Sequence, residues 1–313
     1  MSDFHFACPS CGTALVEVNP DTQMCPAEGL IFRCEDGIWR FLTPQSEENY
    51  RQFMQEYQTV RLAEGRGSTE VVYYRSLPFQ DLSGRFTADW HIRARTFQKF
   101  LSDVLTPLEQ RTKQPLNILD LGSGSGWLSY RLASRGHRLA ALDLQTNSQD
   151  GLGVYIYFDA AFTPIQAEFN HLPFTGEQID CIIYNASFHY STNYETSLRE
   201  ALRVLKSTGQ IVILDSPVYH DATSGESMVK ERQKQFLEKY GFPSNAIASE
   251  NFLTYQRLQE LSANLGIEWK TIHPFYGLQW ALRPWKAHLK GQREPASFMI
   301  IVGQYRTQSI AIA

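Results

Sequence analysis

The run Leu116 to Leu128, LNILDLGSGSGWL, constrains this chain more than any other stretch. A short apolar strand breaks there into a loop with glycine at alternate positions, Gly122, Gly124 and Gly126, and the loop opens a helix. Glycine at that spacing lets the backbone turn sharply and brings bare amide groups against a ligand that side chains would hold away. The reading is a strand, a nucleotide-cradling turn and a helix, which is the seed of an α/β sheet.

Two cofactor classes use such a turn, and spacing separates them. A dinucleotide fingerprint puts its third glycine or alanine three positions after the second, for close packing of helix on strand. Here that position is Trp127, which cannot pack that way. The pattern, led by Asp120, instead resembles motif I of the class I S-adenosylmethionine (SAM) dependent methyltransferases. That resemblance implies an α/β, Rossmann-like seven-stranded methyltransferase sheet with helices on both faces. It also implies that Asp120, Gly122, Gly124 and Gly126 surround the methionine moiety of SAM.

The chain beyond the loop continues the pattern. A helix from Trp127 to Arg135 leads to an apolar run from Arg138 that ends at Asp143, 17 positions after Gly126. That is close to the roughly 20 residues one strand-helix-strand unit needs, so Asp143 is the expected ribose acid. The segment Gln166 to Phe174, QAEFNHLPF, resembles the family stretch that borders the adenine, with Glu168 accepting from its amine. The run Ile179 to Asn185 is continuous enough for a strand buried on both faces. Its end, Asn185 to Tyr190, opens where a methyl acceptor should sit, with Asn185 assigned to the cofactor and His189 and Tyr190 to catalysis. A general base is needed only for a nucleophile that carries a proton of high pKa, and a histidine so placed also commonly packs or bonds. A helix from Tyr194 to Leu205, a strand at Ile211 to Leu214, a helix at Tyr255 to Leu265 and strands at Ile267 to His273 and Ser297 to Tyr305 complete the sheet. The family junction Arg-Val-Leu-x-Pro-Gly-Gly is reduced to Arg203 to Gly209 with a single glycine.

Four of the five cysteines crowd into the first 34 positions. Cys8-Pro9-Ser10-Cys11-Gly12 has the form of a metal knuckle, two thiolates across one tight turn. A second half-site starts at Cys25-Pro26, but the fourth-ligand position holds Glu28, followed by Gly29, and Cys34 lies six residues further. Zinc takes four ligands in structural sites and prefers thiolate, which favours Cys8, Cys11, Cys25 and Cys34. Glu28 is the alternative fourth ligand, and a site without metal is the third reading. The closing run Cys34 to Leu42 looks like the short zinc-ribbon domain that serves as activator subunit of certain tRNA methyltransferases and is fused to some bacterial methyltransferases.

Three units are expected: a zinc ribbon at 1–44, a helical lid or linker at 45–115 and the methyltransferase domain at 116–313. Thr43 to Asn49 reads as a polar linker. Tyr50, Phe53, Met54 and Tyr57 recur at helical spacing, and a second helix from Ala88 to Leu105 puts Trp90, Ala94, Phe97, Leu101 and Val104 on one face. Between them lie Arg61, Glu64, Arg66, Tyr73, Tyr74, Arg75 and Leu77-Pro78-Phe79. Either the tyrosines pack and the arginines are solvated, or the group lines an acceptor pocket.

A net charge of −4 and a pI near 6.1 argue against a broad phosphate-binding face. No stretch reaches the roughly 18 apolar residues of a membrane span, and the cysteine usage fits a reducing compartment, so a cytoplasmic protein without membrane contact is expected. The expected function is SAM-dependent methyl transfer to a small-molecule acceptor. RNA methylation of the rRNA type and non-catalytic SAM binding are the alternatives. The acceptor, the methylated atom and the oligomeric state are left open.

Overall fold

Alternate burial along consecutive strands shows how the chain builds two cores on one sheet. The computed structural model describes residues 4–305; the outer ends of the expected first and last units, 1–3 and 306–313, lie outside the described residues. Four short strands come first: β1 (Val16–Asn19), β2 (Thr22–Met24), β3 (Ile31–Glu35) and β4 (Ile38–Arg40). A helical stretch follows: α1 (Pro44–Ala63), α2 (Val71–Ser76) and α3 (Thr87–Phe100), the last continuing through a wide turn at Leu101–Leu105 into α4 (Thr106–Thr112). Then come β5 (Asn117–Leu121), α5 (Trp127–Ala133), β6 (Arg138–Asp143), β7 (Thr163–Gln166), β8 (Ile179–Asn185), α6 (Tyr194–Val204) and β9 (Leu205–Leu214). The chain closes with β10 (Val218–Tyr219), α7 (Ala222–Tyr240), β11 (Leu253–Thr254), α8 (Tyr255–Leu265), β12 (Ile267–Ile272), α9 (Leu278–Ala281), α10 (Arg283–Leu289) and β13 (Ile300–Tyr305).

The main sheet runs β1-β2-β3-β4-β7-β6-β5-β8-β9-β13-β12. The seven strands from β7 to β12 form the seven-stranded sheet expected, six of them where the sequence reading placed strands and β7 where it placed none, with β13 antiparallel to both β9 and β12 and the rest mutually parallel. Side chains alternate between faces along each strand. Leu119, Leu121, Ile182, Tyr184, Ile211 and Ile213 join the core under α6 and α8, whereas Ile118, Cys181, Ile183, Val212 and Leu214 join the core under α3, α4 and α5. Every residue of β8 is buried, as its continuous apolar run predicts.

The N-terminal segment is not set apart from this sheet. Strand β4 pairs in parallel with β7, Trp39 opposite Ile165 and Arg40 opposite Gln166, so four strands extend the expected seven to eleven. The physical reason is aromatic burial. Phe6 lies 4.9 Å from Phe41 and 5.9 Å from Phe174, ring centre to ring centre, and Phe41 and Phe174 are almost wholly buried. Each such burial contributes about 1.5–3 kcal/mol, which a segment this small cannot recover alone. The polar stretch from Thr43 is also no linker: the Thr43 hydroxyl accepts from the Ser46 amide and Pro44 sits in the first turn, so this run starts α1.

Candidate active site

The loop after β5 is shaped by glycine at two positions. Gly122 has φ +73°, and a Cβ there would lie 2.3 Å from the Ser187 Cβ; Gly126 has φ +75°, caps α5, and would meet the Phe162 ring at 2.8 Å. A Cβ added at Gly124 would meet nothing closer than Asp150 O at 4.0 Å, so its α-carbon faces open space. The loop amides, however, are not bare. Gly122 N and Ser123 N donate to Leu142 O at 2.8 and 3.0 Å, Gly126 N donates to Ser123 O, and Gly124 N donates to Asp143 Oδ2 at 2.8 Å. A pyrophosphate cradle needs such amides free for an anion. A loop that spends them on its own strands suits a donor whose reacting atom is a cation, and this corrects the expectation of amides aimed at a ligand.

Two cavities meet at this loop, at the carboxyl ends of β5, β6 and β8, where open α/β sheets bind ligands. The first, about 670 Å³ with its open mouth, is lined by Asp143, Glu168 and Phe169, by Tyr50, Phe53 and Tyr57 of α1, and by Tyr190. The second, about 610 Å³ measured the same way, is lined by Arg61, Arg66, Tyr73, Trp90, Arg93 and Asn185. They share Tyr57, Gly122, Gly124 and Ala186. Helix α1 therefore walls both cavities, with Tyr57 lining each.

The expected site residues divide into those at the cavities and those behind them. Asp143 lines the first cavity while its carboxylate also accepts from the Gly124 and Gln145 amides, and burial raises its pKa. Glu168 lines the same cavity, yet it accepts from Ser46 Oγ, Tyr50 OH and His171 Nδ1, each at 2.8 Å, and so latches α1. Asp120 reaches neither cavity: it is fully buried under the loop, accepts from Ser129 Oγ at 2.8 Å, and is pushed up to about 7 by burial. Gly126 likewise lies on the helix side of the loop.

The aromatic and basic residues between α1 and α3 are placed differently. Tyr74 and Arg75 are structural: the Tyr74 hydroxyl accepts from the Ser68 amide, and Arg75 Nε donates to Tyr157 O at 2.8 Å. Arg61, Arg66 and Tyr73 line the second cavity, and Tyr74 does so as well. Arg61 is held there by a two-point bond to Asp150, its Nη2 at 2.9 Å. Arg93 escaped the sequence reading. It lies three residues after Trp90 on α3, its guanidinium 5.1 Å from the Trp90 ring, and among the described residues it has no hydrogen-bond partner. That i, i+3 pairing was the available signal.

His189, the expected base, lies on a short 3₁₀ turn, Phe188–Tyr190, with Nδ1 3.3 Å from Ser216 Oγ, and it lines neither cavity. Burial, with Arg232 and Arg93 nearby, pushes it down to about 3 from 6.5. As pH falls the unfolded chain takes this proton first, so His189 contributes stability above pH 6.5 that is lost as pH falls from 6.5 towards about 3. Melting curves at about pH 7.5 and pH 5 are expected to show a smaller loss of Tm for His189→Gln than for the wild-type chain. Equal losses would mean the imidazole is not held neutral.

At the N-terminus the ligand atoms of Cys8, Cys11, Cys25 and Glu28 lie within 4.8 Å of one another. Cys34, the favoured fourth ligand, is not in this group. It sits on β3 opposite Trp39 and packs against the core. The reason is a repeated knuckle: Gly12 N donates to Cys8 O and Gly29 N to Cys25 O, both at 2.8 Å, with both glycines at positive φ. Glu28 thus stands in the second turn where Cys11 stands in the first.

A family model described as methyltransferase domain matches residues 119–213. A malonyl-[acyl-carrier protein] O-methyltransferase of Coxiella burnetii is 26% identical over 155 residues, 47% of this chain and 50% of that protein. Its counterpart from Erwinia pyrifoliae is 32% identical over 102 residues, 33% and 38% of the two chains. The chain thus spans half or less of the length of these relatives. Among solved structures, the 1,6-didemethyltoxoflavin-N1-methyltransferase of Burkholderia thailandensis is 12% identical, covering 93% of this chain and 98% of that one with a TM-score of 0.49. Among the described residues no helix is long and apolar enough to cross a membrane.

Proposed function

We infer that this chain, which carries a class I SAM-dependent methyltransferase domain, transfers a methyl group from that donor to a small-molecule acceptor. One observation carries the reading: two cavities join over Gly122 and Gly124, and the second has polar atoms without partners. Trp90 Nε1 and Ser123 Oγ are buried and unbonded. Buried polar atoms are rarely left unpaired, so these sites call for a ligand rich in donors and acceptors. An amino acid end fits them, with its carboxylate toward Arg93 and Trp90.

SAM, when bound, supplies a methyl group on a sulfonium that an acceptor can displace in line. The residues of this chain would do the rest. Asp143 and Glu168 would hold the nucleoside in the first cavity, and Arg93 and Ser123 the opposite end. Tyr50, Phe53 and Tyr57 would exclude water, and alignment of this kind is worth roughly 7–11 kcal/mol in well-oriented systems. Tyr190, at the rim of the first cavity, is a better-placed acceptor contact than His189. A relative named sarcosine/dimethylglycine N-methyltransferase, from Halorhodospira halochloris, supports a small acceptor, and the net charge of −4 gives RNA no broad basic face. Zinc at Cys8, Cys11, Cys25 and Glu28 would be structural, far in sequence from the loop.

The test is incubation with methyl-labelled SAM and fractionated small-molecule and RNA extracts, followed by mass spectrometry. Label in a ribonuclease-resistant small molecule is expected. Label confined to ribonuclease-sensitive material, or donor binding without turnover in every fraction, would overturn the acceptor assignment.

A further inference from the structure

The connection between β12 and β13 leaves the sheet at the same end as the candidate active site. Strand β12 is antiparallel to β13, which is antiparallel to β9, so β12 runs with the parallel strands and ends at their carboxyl edge. The connection is tied to that edge: Tyr276 OH lies 2.8 Å from Thr96 Oγ1, which donates at 2.7 Å to Asp215 Oδ1 beyond the end of β9. From there α9 and α10 carry an exposed apolar stripe.

Leu278, Leu282, Trp285 and Leu289 are spaced i, i+4, i+7 and i+11, one face of a helix, and are 74, 47, 61 and 64% exposed. Ala287, on the opposite side, is buried. Phe275, 62% exposed, extends the stripe towards the sheet. These are five of the sixteen exposed large hydrophobic residues of the described chain, gathered on one excursion. The charge beside them is one-signed. From Leu278 to Arg293 there are four basic residues and no acidic one, in a chain of net charge −4. Arg293 is paired with Glu231, and Arg283 lies over the Trp280 ring. Lys286 and Lys290 are exposed and form no ion pair among the described residues.

We propose that this excursion seats the protein on an anionic lipid surface, with Leu282, Trp285 and Leu289 entering the headgroup boundary and Lys286 and Lys290 against lipid phosphates. Leucine and tryptophan on one face flanked by lysine is the composition of a helix that lies in a membrane interface. The uncompensated lysines select an anionic surface, since charge complementarity is what a neutral apolar partner would lack. The expectation of no membrane contact rested on the lack of a span, and a stripe of this kind needs none. The seating holds whatever the reaction is; joined to methyl transfer, it turns the cavity mouth towards an acceptor dissolved in lipid.

The full-length protein is sedimented with phosphatidylcholine vesicles and with vesicles carrying phosphatidylglycerol, at low salt. Uptake is expected only on the phosphatidylglycerol vesicles. Lys286→Gln with Lys290→Gln is expected to weaken it about 30-fold, each basic residue near such a surface contributing about fivefold. Leu282→Gln with Trp285→Gln is expected to abolish it, with the melting temperature and SAM affinity of both variants unchanged. The proposal is overturned if the wild-type chain stays in the supernatant, if the apolar variant still binds, or if the stripe proves to be covered by a second copy, shown by a dimer that Leu282→Gln with Trp285→Gln dissociates.

Discussion

Alanine at Gly122 is expected to lower SAM affinity by more than about 100-fold and to lower the melting temperature by several degrees. Two effects add. The backbone at φ +73° costs a residue with a Cβ about 1–2 kcal/mol, and the new atom would sit 2.3 Å from the Ser187 Cβ. Ser187 cannot withdraw, because it is buried and its hydroxyl donates to Leu121 O, which fixes it to β5. The new atom would also lie 3.2 Å from the Phe169 ring, and Ser187 and Phe169 both line the first cavity, so relief of the overlap disturbs that cavity. Overpacking of this kind costs typically 1–3 kcal/mol more. Gly124→Ala is the informative partner. Its Cβ meets nothing nearer than 4.0 Å, so Gly124→Ala adds the strain of φ +55° without the overlap, while the methyl group occupies space the donor needs. Calorimetric titration with SAM and thermal melts of both variants separate loop collapse from occlusion. Wild-type affinity in both would remove the donor from this loop.

The strands and the loop were legible because their signals are local. Ile179 to Asn185 reads as a buried strand from composition alone, and Trp127 excludes the dinucleotide alternative from a single position. What the residues could not declare was pairing at long range. The aromatic residues Phe6, Trp39 and Phe41 look like the core of a self-contained ribbon until Phe174, far along the chain, joins them and β4 docks on β7. Helix α7 escaped for the opposite reason: it buries only Ser224 and Gly225, so no apolar stripe marks it. Its ends were readable, with Asp221 accepting from the Thr223 amide and Gly241 closing the last turn at φ +83°. In the site, glycine spacing gave the loop, but neither the occupation of its amides nor the latch from Glu168 to Ser46 and Tyr50 follows from spacing. The retreat of His189 behind the cavity wall is likewise set by packing.

The purified chain is expected to carry one zinc ion, and its loss is expected to lower the melting temperature by about 10 °C or more and to weaken donor binding. Structural zinc sites supply about 10–16 kcal/mol of apparent binding energy in isolated peptides, and part of that holds this segment folded. The coupling to the donor site runs through the backbone. Ala7 N donates to Pro173 O and Thr175 N donates to His5 O, so the strand that leads into the first knuckle is paired with Leu172-Pro173-Phe174. That stretch follows Glu168 and Phe169, which wall the first cavity. Unravelled knuckles would free Phe6 from Phe174 and loosen that wall. The ligand set is decided by two variants read by metal analysis: Glu28→Gln should lose most of the zinc, whereas Cys34→Ser, on β3 and outside the cluster, should keep it. Retention in Glu28→Gln with loss in Cys34→Ser would reverse the assignment, and a metal-free protein of unchanged stability would leave the two knuckles held by their own turns and by the aromatic packing on β7.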